Sequence, residues 1–201
     1  MFKTLIDMAF SSRDAAGPGS RYDEWSASWD GNPVCAESAI PERCARALAA
    51  YAPDKSLPLL DFGCRTGLAG LAFAQAGFTK IDGIDASGEM IATSEARNVY
   101  RTLKLVETET TIERHYPLIG AVGVIGPGAA PPSTLDLLLH AAPSGGLLVF
   151  SFNDDALADP QSNGRLNEWL DCGAARLLFA ERGPHLPEND IQSTVYVVDK
   201  A

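Results

Sequence analysis

The chain has 201 residues, 46% hydrophobic and 21% charged, with a formal net charge of −10 and a pI near 4.7. That length and apolar content support one domain with a proper core, and the acidic balance argues against a nucleic-acid binder, which needs a cationic surface to displace counterions. No run of about 18 apolar residues is present to span a membrane, and Cys35, Cys44, Cys64 and Cys172 form neither a C-x-x-C pair nor a zinc spacing, so reduced thiols in a cytoplasmic protein and no metal are expected.

Phe2, Leu5, Ile6, Ala9 and Phe10 share one helical face, so a short amphipathic helix is expected over 2–11. Asp7 interrupts it and no small-residue cleavage site follows, which speaks against a leader. After a loop at 16–20 come Tyr22, Trp25 and Trp29 at i, i+3 and i+7. They read as plain core packing or as a lid over a pocket, and both readings stand at this point. Pro41 suits a first helical position, and a helix is expected over 41–51.

Next the pattern alternates: a strand at 57–62, a helix at 67–76 with Gly77 as its C-cap, a strand at 80–85, and a helix at 88–100. Strands at 103–106 and 119–125 follow, then a loop at 126–132, a helix at 133–141, a turn at 143–146 and a strand at 147–152. Near-continuous apolar strands alternating with helices specify α/β, a parallel sheet covered on both faces. A loop at 153–163 leads to a helix near 163–172 and two strands, 175–181 and 192–199, joined through 183–187 as an antiparallel hairpin. One domain is expected over 1–201, with a helical cap (1–52) and an α/β core (57–201).

The stretch Leu60-Asp61-Phe62-Gly63-Cys64-Arg65-Thr66-Gly67 carries the chemistry. A strand feeding directly into a helix N-terminus leaves backbone N–H groups aimed at one spot. Glycine lets a ligand approach the main chain, and the acidic strand end accepts hydrogen bonds from a cationic or hydroxyl-rich ligand. The dinucleotide fingerprint G-x-G-x-x-G fails, because Arg65 and Leu68 stand where its second and third glycines belong. What remains is an acidic residue two before Gly63, then Gly63-x-Arg65-x-Gly67.

That turn resembles the "LDxGCGTG" motif of class I S-adenosylmethionine (SAM) methyltransferases, and Ile81-Asp82-Gly83-Ile84-Asp85-Ala86-Ser87-Gly88-Glu89-Met90 is similar to their second motif. Tyr22-Asp23-Glu24-Trp25 and Val99-Tyr100-Arg101 resemble the Williams–Beuren methyltransferase-like group. The resemblance covers roughly residues 21–200 and implies a Rossmann-like seven-stranded mostly parallel sheet with a C-terminal antiparallel hairpin and helices on both faces. It implies SAM as cofactor and methyl transfer to a small-molecule acceptor. Gly63, Cys64, Arg65, Thr66 and Gly67 would line the methionine part, with Asp61 near its amino group. Asp85 would accept from the ribose hydroxyls, since a carboxylate can take vicinal O–H donors. Ala86, Ser87 and Met90 would flank the adenine, Glu107 would meet its amino group, and Tyr22 and Trp25 would close over the cofactor.

Two positions depart from the pattern. Arg65 replaces the middle glycine, where the backbone comes close to the cofactor and takes φ > 0; its side chain would crowd the methionine moiety and weaken binding, or bind that moiety's carboxylate. Pro117 stands where the family has an Asp before the fourth strand. These departures support an alternative, a catalytically impaired module acting through association. Methyl transfer needs alignment more than acid–base help, so no catalytic residue is assigned. His140 reads as structural, His115 and His185 as undecided. Asn153 and Asp154, just past the fifth strand, are the candidates for acceptor contact.

Overall fold

The computed structural model describes residues 38–106, 112, 116–126, 129–186 and 191–201. The readings on 2–11, Tyr22, Trp25, Trp29, Glu107 and His115 lie outside them. In chain order the elements are α1 (Ile40–Tyr51), β1 (Leu59–Phe62), α2 (Leu68–Gln75), β2 (Ile81–Asp85), α3 (Gly88–Glu95), β3 (Tyr100–Leu105), β4 (Leu118–Ala121), α4 (Thr134–Ala141), β5 (Leu147–Asn153), α5 (Asp154–Ala158), α6 (Pro160–Asp171), β6 (Ala175–Leu186) and β7 (Ile191–Lys200). They build one seven-stranded sheet in the order β3-β2-β1-β4-β5-β7-β6. Strands β1 to β5 are parallel, and β7 and β6 run antiparallel at the end. The parallel sheet and terminal hairpin are those expected from the strand–helix pattern, and the seven-stranded Rossmann-like form is the one the resemblance implies.

Side chains alternate across the strands, so the sheet carries two apolar clusters. Leu60, Ile119, Leu148, Phe150, Tyr196 and Val198 face α4 and α6, packing on Leu135, Leu138, Leu139 and Leu166. Their neighbours Leu59, Leu118, Leu147, Val149, Val195 and Val197 face α1 and α2, packing on Ile40, Cys44, Leu48 and Phe73. Phe73 is fully buried and lies where a Cβ on Gly120 would be, 2.6 Å from its ring, so α2 comes close to β4 only because that strand position has no side chain.

Several boundaries differ from the sequence reading. Helix α3 ends at Glu95, not near 100, and Asn98 turns the chain with φ +54°. Val99-Tyr100-Arg101 therefore does not close a helix; Tyr100 opens β3, because Arg101 and Thr102 both hydrogen-bond Asp82 on β2. Strand β4 stops at Ala121, two residues before Gly123 takes φ +65°. The stretch expected as a loop over 153–163 holds α5 and the start of α6, because Asn153 and Asp159 cap them and Pro160 suits the first turn. Residues 183–186 belong to β6 rather than to the connection. Pro184 is tolerated there because β6 is an edge strand with a register shift at that point.

Candidate functional site

In an open parallel sheet, ligands bind at the carboxyl ends of the strands where the order reverses. Here that point lies between β1 and β4, and the Gly63–Gly67 turn sits on it. Three turn residues have positive φ: Gly63 at +68°, Arg65 at +49° and Gly67 at +84°. The turn is tied to β2 because the Gly63 and Cys64 N–H groups both donate to the Ile84 carbonyl, at 2.9 and 3.0 Å. Glycine at 63 is also required by space, since a Cβ would stand 2.6 Å from Val124 Cγ1. At Gly67 a Cβ would meet Arg97 Cγ at 2.8 Å. Both glycines thus answer to neighbours within the fold as well as to their φ.

Asp61, next to last in β1, has no exposed surface. Its Oδ2 accepts the Tyr100 hydroxyl at 2.7 Å, while Oδ1 has no hydrogen-bond partner among the described residues. Burial pushes its carboxyl up to about 7; the Tyr100 hydroxyl opposes the shift, the charge of Asp85 adds to it, and the Gly70 backbone N–H opposes it. Burial and the Asp61 charge push the Tyr100 phenol upward, keeping it protonated as the donor.

Asp85 ends β2 and is 9% exposed. Its Oδ2 accepts the Arg65 N–H at 2.8 Å and its Oδ1 accepts the Ser87 N–H at 2.9 Å. A carboxylate can accept about four hydrogen bonds, so each oxygen retains acceptor capacity. Ser87 caps α3 by accepting the Met90 N–H at 3.3 Å, and Met90 itself is buried. Ala86 is exposed, whereas Thr66 is buried, its carbonyl accepting from Arg97 Nε at 3.0 Å. Cys64 lies buried beside Ser94 with its thiol pushed upward by burial, and burial pushes Cys44 up to about 12, so neither is a nucleophile at neutral pH.

Asn153 and Asp154 occupy the same edge, but each has work in the fold. Asn153 Oδ1 accepts the Ala156 N–H at 2.9 Å as the cap of α5, and Asp154 pairs with Arg182 at 2.9 Å. Ser151, buried on β5, accepts the Gly123 N–H at 3.0 Å and so ties the loop after β4 to β5. His140 Nδ1 lies 2.6 Å from the Asp136 carbonyl and its ring packs on Trp169, the structural role read from sequence.

Sequence reasoning missed Arg43 and the partnership of Tyr100 with Asp61, and it leaves His185 undecided. Arg43 on α1 is 7% exposed and donates to the carbonyls of Pro184, Ser193 and Glu181 at 3.0, 3.1 and 2.8 Å, fastening the β6–β7 hairpin to the helix. His185 Nδ1 sits 2.6 Å from Ser193 Oγ, and its carbonyl accepts the Ala39 N–H. A cationic residue in an otherwise apolar helix face was the one available signal for Arg43. Among the described residues no group of His, Cys, Asp and Glu could hold a metal, and no helix is long and apolar enough to cross a membrane.

A family profile described as "Methyltransferase domain" matches residues 36–191. Solved structures share the fold. Magnesium protoporphyrin IX methyltransferase (ChlM) from Synechocystis, with bound SAM, is 13% identical with TM-score 0.69, over 94% of this chain and 100% of that one. The CcbJ methyltransferase from Streptomyces caelestis is 15% identical with TM-score 0.67, over 92% and 100%. The [4+2]-cyclase SpnF is 16% identical with TM-score 0.69, over 94% and 99%. At these identities the likeness is one of fold. No curated protein sequence matches the chain.

Proposed function

The chain belongs to the methyltransferase-domain family, and from that premise we propose that it uses SAM to methylate a small-molecule acceptor. One observation carries the reading: Asp85, fixed beside the Gly63–Gly67 turn by the Arg65 N–H, retains acceptor capacity on both oxygens at the edge where ligands bind. Vicinal ribose hydroxyls suit it. Asp61 fits the same ligand, because its buried Oδ1 has no hydrogen-bond partner among the described residues and would accept from the amino group of the methionine part.

SAM supplies a methyl group on a sulfonium, so the leaving group is neutral. The chain's own residues then have a limited task. Asp85 and the turn orient the nucleoside, the exposed Ala86 offers it a small apolar surface, and Tyr100 holds Asp61 in place. Alignment of this kind is worth up to ~7–11 kcal/mol of barrier. The neighbouring magnesium protoporphyrin IX methyltransferase is named for a small-molecule acceptor, which supports one here. Kinship with the Williams–Beuren group, a closing role for Tyr22 and Trp25, and adenine contact by Glu107 belong to the same reading, resting on sequence resemblance.

Calorimetry with S-adenosylhomocysteine tests it. Wild type binds and Asp85→Ala loses most of the affinity; a wild-type protein that takes up none ends the reading. A protein that binds the nucleoside yet labels nothing in metabolite pools supplied with labelled SAM would act by association instead.

A further inference from the structure

Strand β3 lies at one edge of the sheet, paired with β2, and it carries a bulge at its start. Tyr100 pairs with Ile81 and Thr102 with Asp82, so Arg101 is the extra residue. A bulge interrupts the ladder and re-aims the side chains around it. Here Arg101 and Thr102, adjacent in sequence, both reach Asp82. Arg101 donates through Nε at 3.1 Å and through Nη2, and Thr102 Oγ1 donates at 2.9 Å. Tyr100 and Leu103 flank them and both cover Gly83, where a Cβ would meet Leu103 Cδ2 at 2.7 Å and the Tyr100 ring at 3.0 Å. In a regular strand, positions three apart would face opposite ways; the extra residue is what puts Tyr100 and Leu103 on one face.

The two faces of the bulge thus do different work. On one, the Asp82 side chain is 2% exposed and holds the strand through Arg101, Thr102 and, from the segment before β4, the Tyr116 hydroxyl at 3.1 Å. On the other, the Tyr100 hydroxyl crosses β2 to Asp61 Oδ2. No residue of β3 is fully buried. An edge strand with an interrupted ladder and little apolar burial belongs to the part of a fold that opens most readily. Next to Tyr100, the bonds to Asp82 are what oppose that opening.

Resting on the SAM reading, we infer that Arg101 and Thr102 are positioning residues for cofactor binding: from the face opposite Tyr100 they pin the β3 bulge to Asp82 and so keep the Tyr100 hydroxyl on Asp61. Order in the edge strand and occupancy of the Gly63–Gly67 turn are then coupled, and by linkage each favours the other.

Calorimetry with S-adenosylhomocysteine on the full chain tests this. Arg101→Met and Tyr100→Phe each weaken binding about fivefold or more, and the double variant binds no more weakly than Tyr100→Phe, because both act through one hydroxyl. Losses that multiply, or an Arg101→Met protein that binds like wild type, would overturn the inference. Thr102 supplies a milder pair should Arg101→Met not fold. Thr102→Val removes the bond to Asp82 with a residue that favours strands, and Thr102→Ser keeps the bond without that preference. The serine variant should bind more tightly; equal or tighter binding by the valine variant would leave only strand propensity at work and overturn the inference. Failure of wild type to bind S-adenosylhomocysteine would sink the SAM reading instead. Hydrogen exchange on the ligand-free protein then decides the coupling: amides 63–67 should exchange faster in Arg101→Met than in wild type, and no faster in the double variant than in Tyr100→Phe. Unchanged exchange at 63–67 would overturn it.

Discussion

Tyr100 reaches from β3 across β2 to place its hydroxyl 2.7 Å from Oδ2 of Asp61 at the end of β1. Two glycines make the path. A Cβ on Gly83 would meet the Tyr100 ring at 3.0 Å, and one on Gly70 would stand 2.2 Å from the hydroxyl. The acidic residue before the Gly63–Gly67 turn is thus held by a side chain from the sheet edge.

Gly70→Ala is expected to destabilise the protein although alanine is the better helix former. Alanine gains about 1 kcal/mol of helix propensity, but the hydroxyl must move or Asp61 loses its donor, at a cost of about 1–3 kcal/mol for overpacking plus a similar amount for the unsatisfied carboxyl. Chemical denaturation of the two proteins measures the difference; equal or greater stability in the alanine variant would contradict the packing described.

The Asp61 carboxyl keeps its proton up to about 7 in the folded chain, against about 4 when unfolded. Between those values the folded state binds more protons, so the contribution to stability is complete below about pH 4 and is lost as pH rises through about 7. Asp61→Asn keeps the shape without the charge. Its melting temperature relative to wild type should climb from pH 5 to pH 8.5, and a flat difference over that range would refute the assignment.

Arg65→Gly should raise stability by about 1 kcal/mol, the scale of the left-handed penalty for a residue with a side chain. The φ of +49° and the N–H bond to Asp85 are both kept by glycine. Thermal unfolding of the ligand-free variant reads this directly, and a drop in stability would mean that the guanidinium holds the fold together.

Arg43→Met should loosen the hairpin and leave the sheet intact. It strips the Pro184, Ser193 and Glu181 carbonyls of a buried charged donor, each such loss costing about 1–3 kcal/mol. Amide exchange should accelerate in β6 and β7 far more than in β1 and β4. Arg43→Lys should not restore protection, because one ammonium cannot copy the planar fork.

The contacts that hold the site were legible in proportion to how local they are. The Gly63–Gly67 turn, Asp85 and the cap Ser87 lie within short stretches whose spacing alone signals strand, turn and helix. Asn153 was noticed for its place at a strand end, yet its side chain caps the next helix, which a reading of 153–163 as loop hid. The sequence reading runs the helix on to 100; what makes Tyr100 the start of a strand is the bonding of Arg101 and Thr102 to Asp82.

Sequence by itself determined the α/β order of elements, the ligand turn with its flanking carboxylates, and the terminal hairpin, because periodicity and glycine placement are properties of neighbouring residues. Only the tertiary structure decided that Tyr100 partners Asp61, that Arg43 fastens the hairpin, and that the Arg65 side chain lies over Gly123. Tyr100 lies 39 residues from Asp61, and Arg43 lies 150 from Ser193. Which of many polar groups meet over such separations depends on strand order and on where glycines leave space, and both exist only once the sheet has formed.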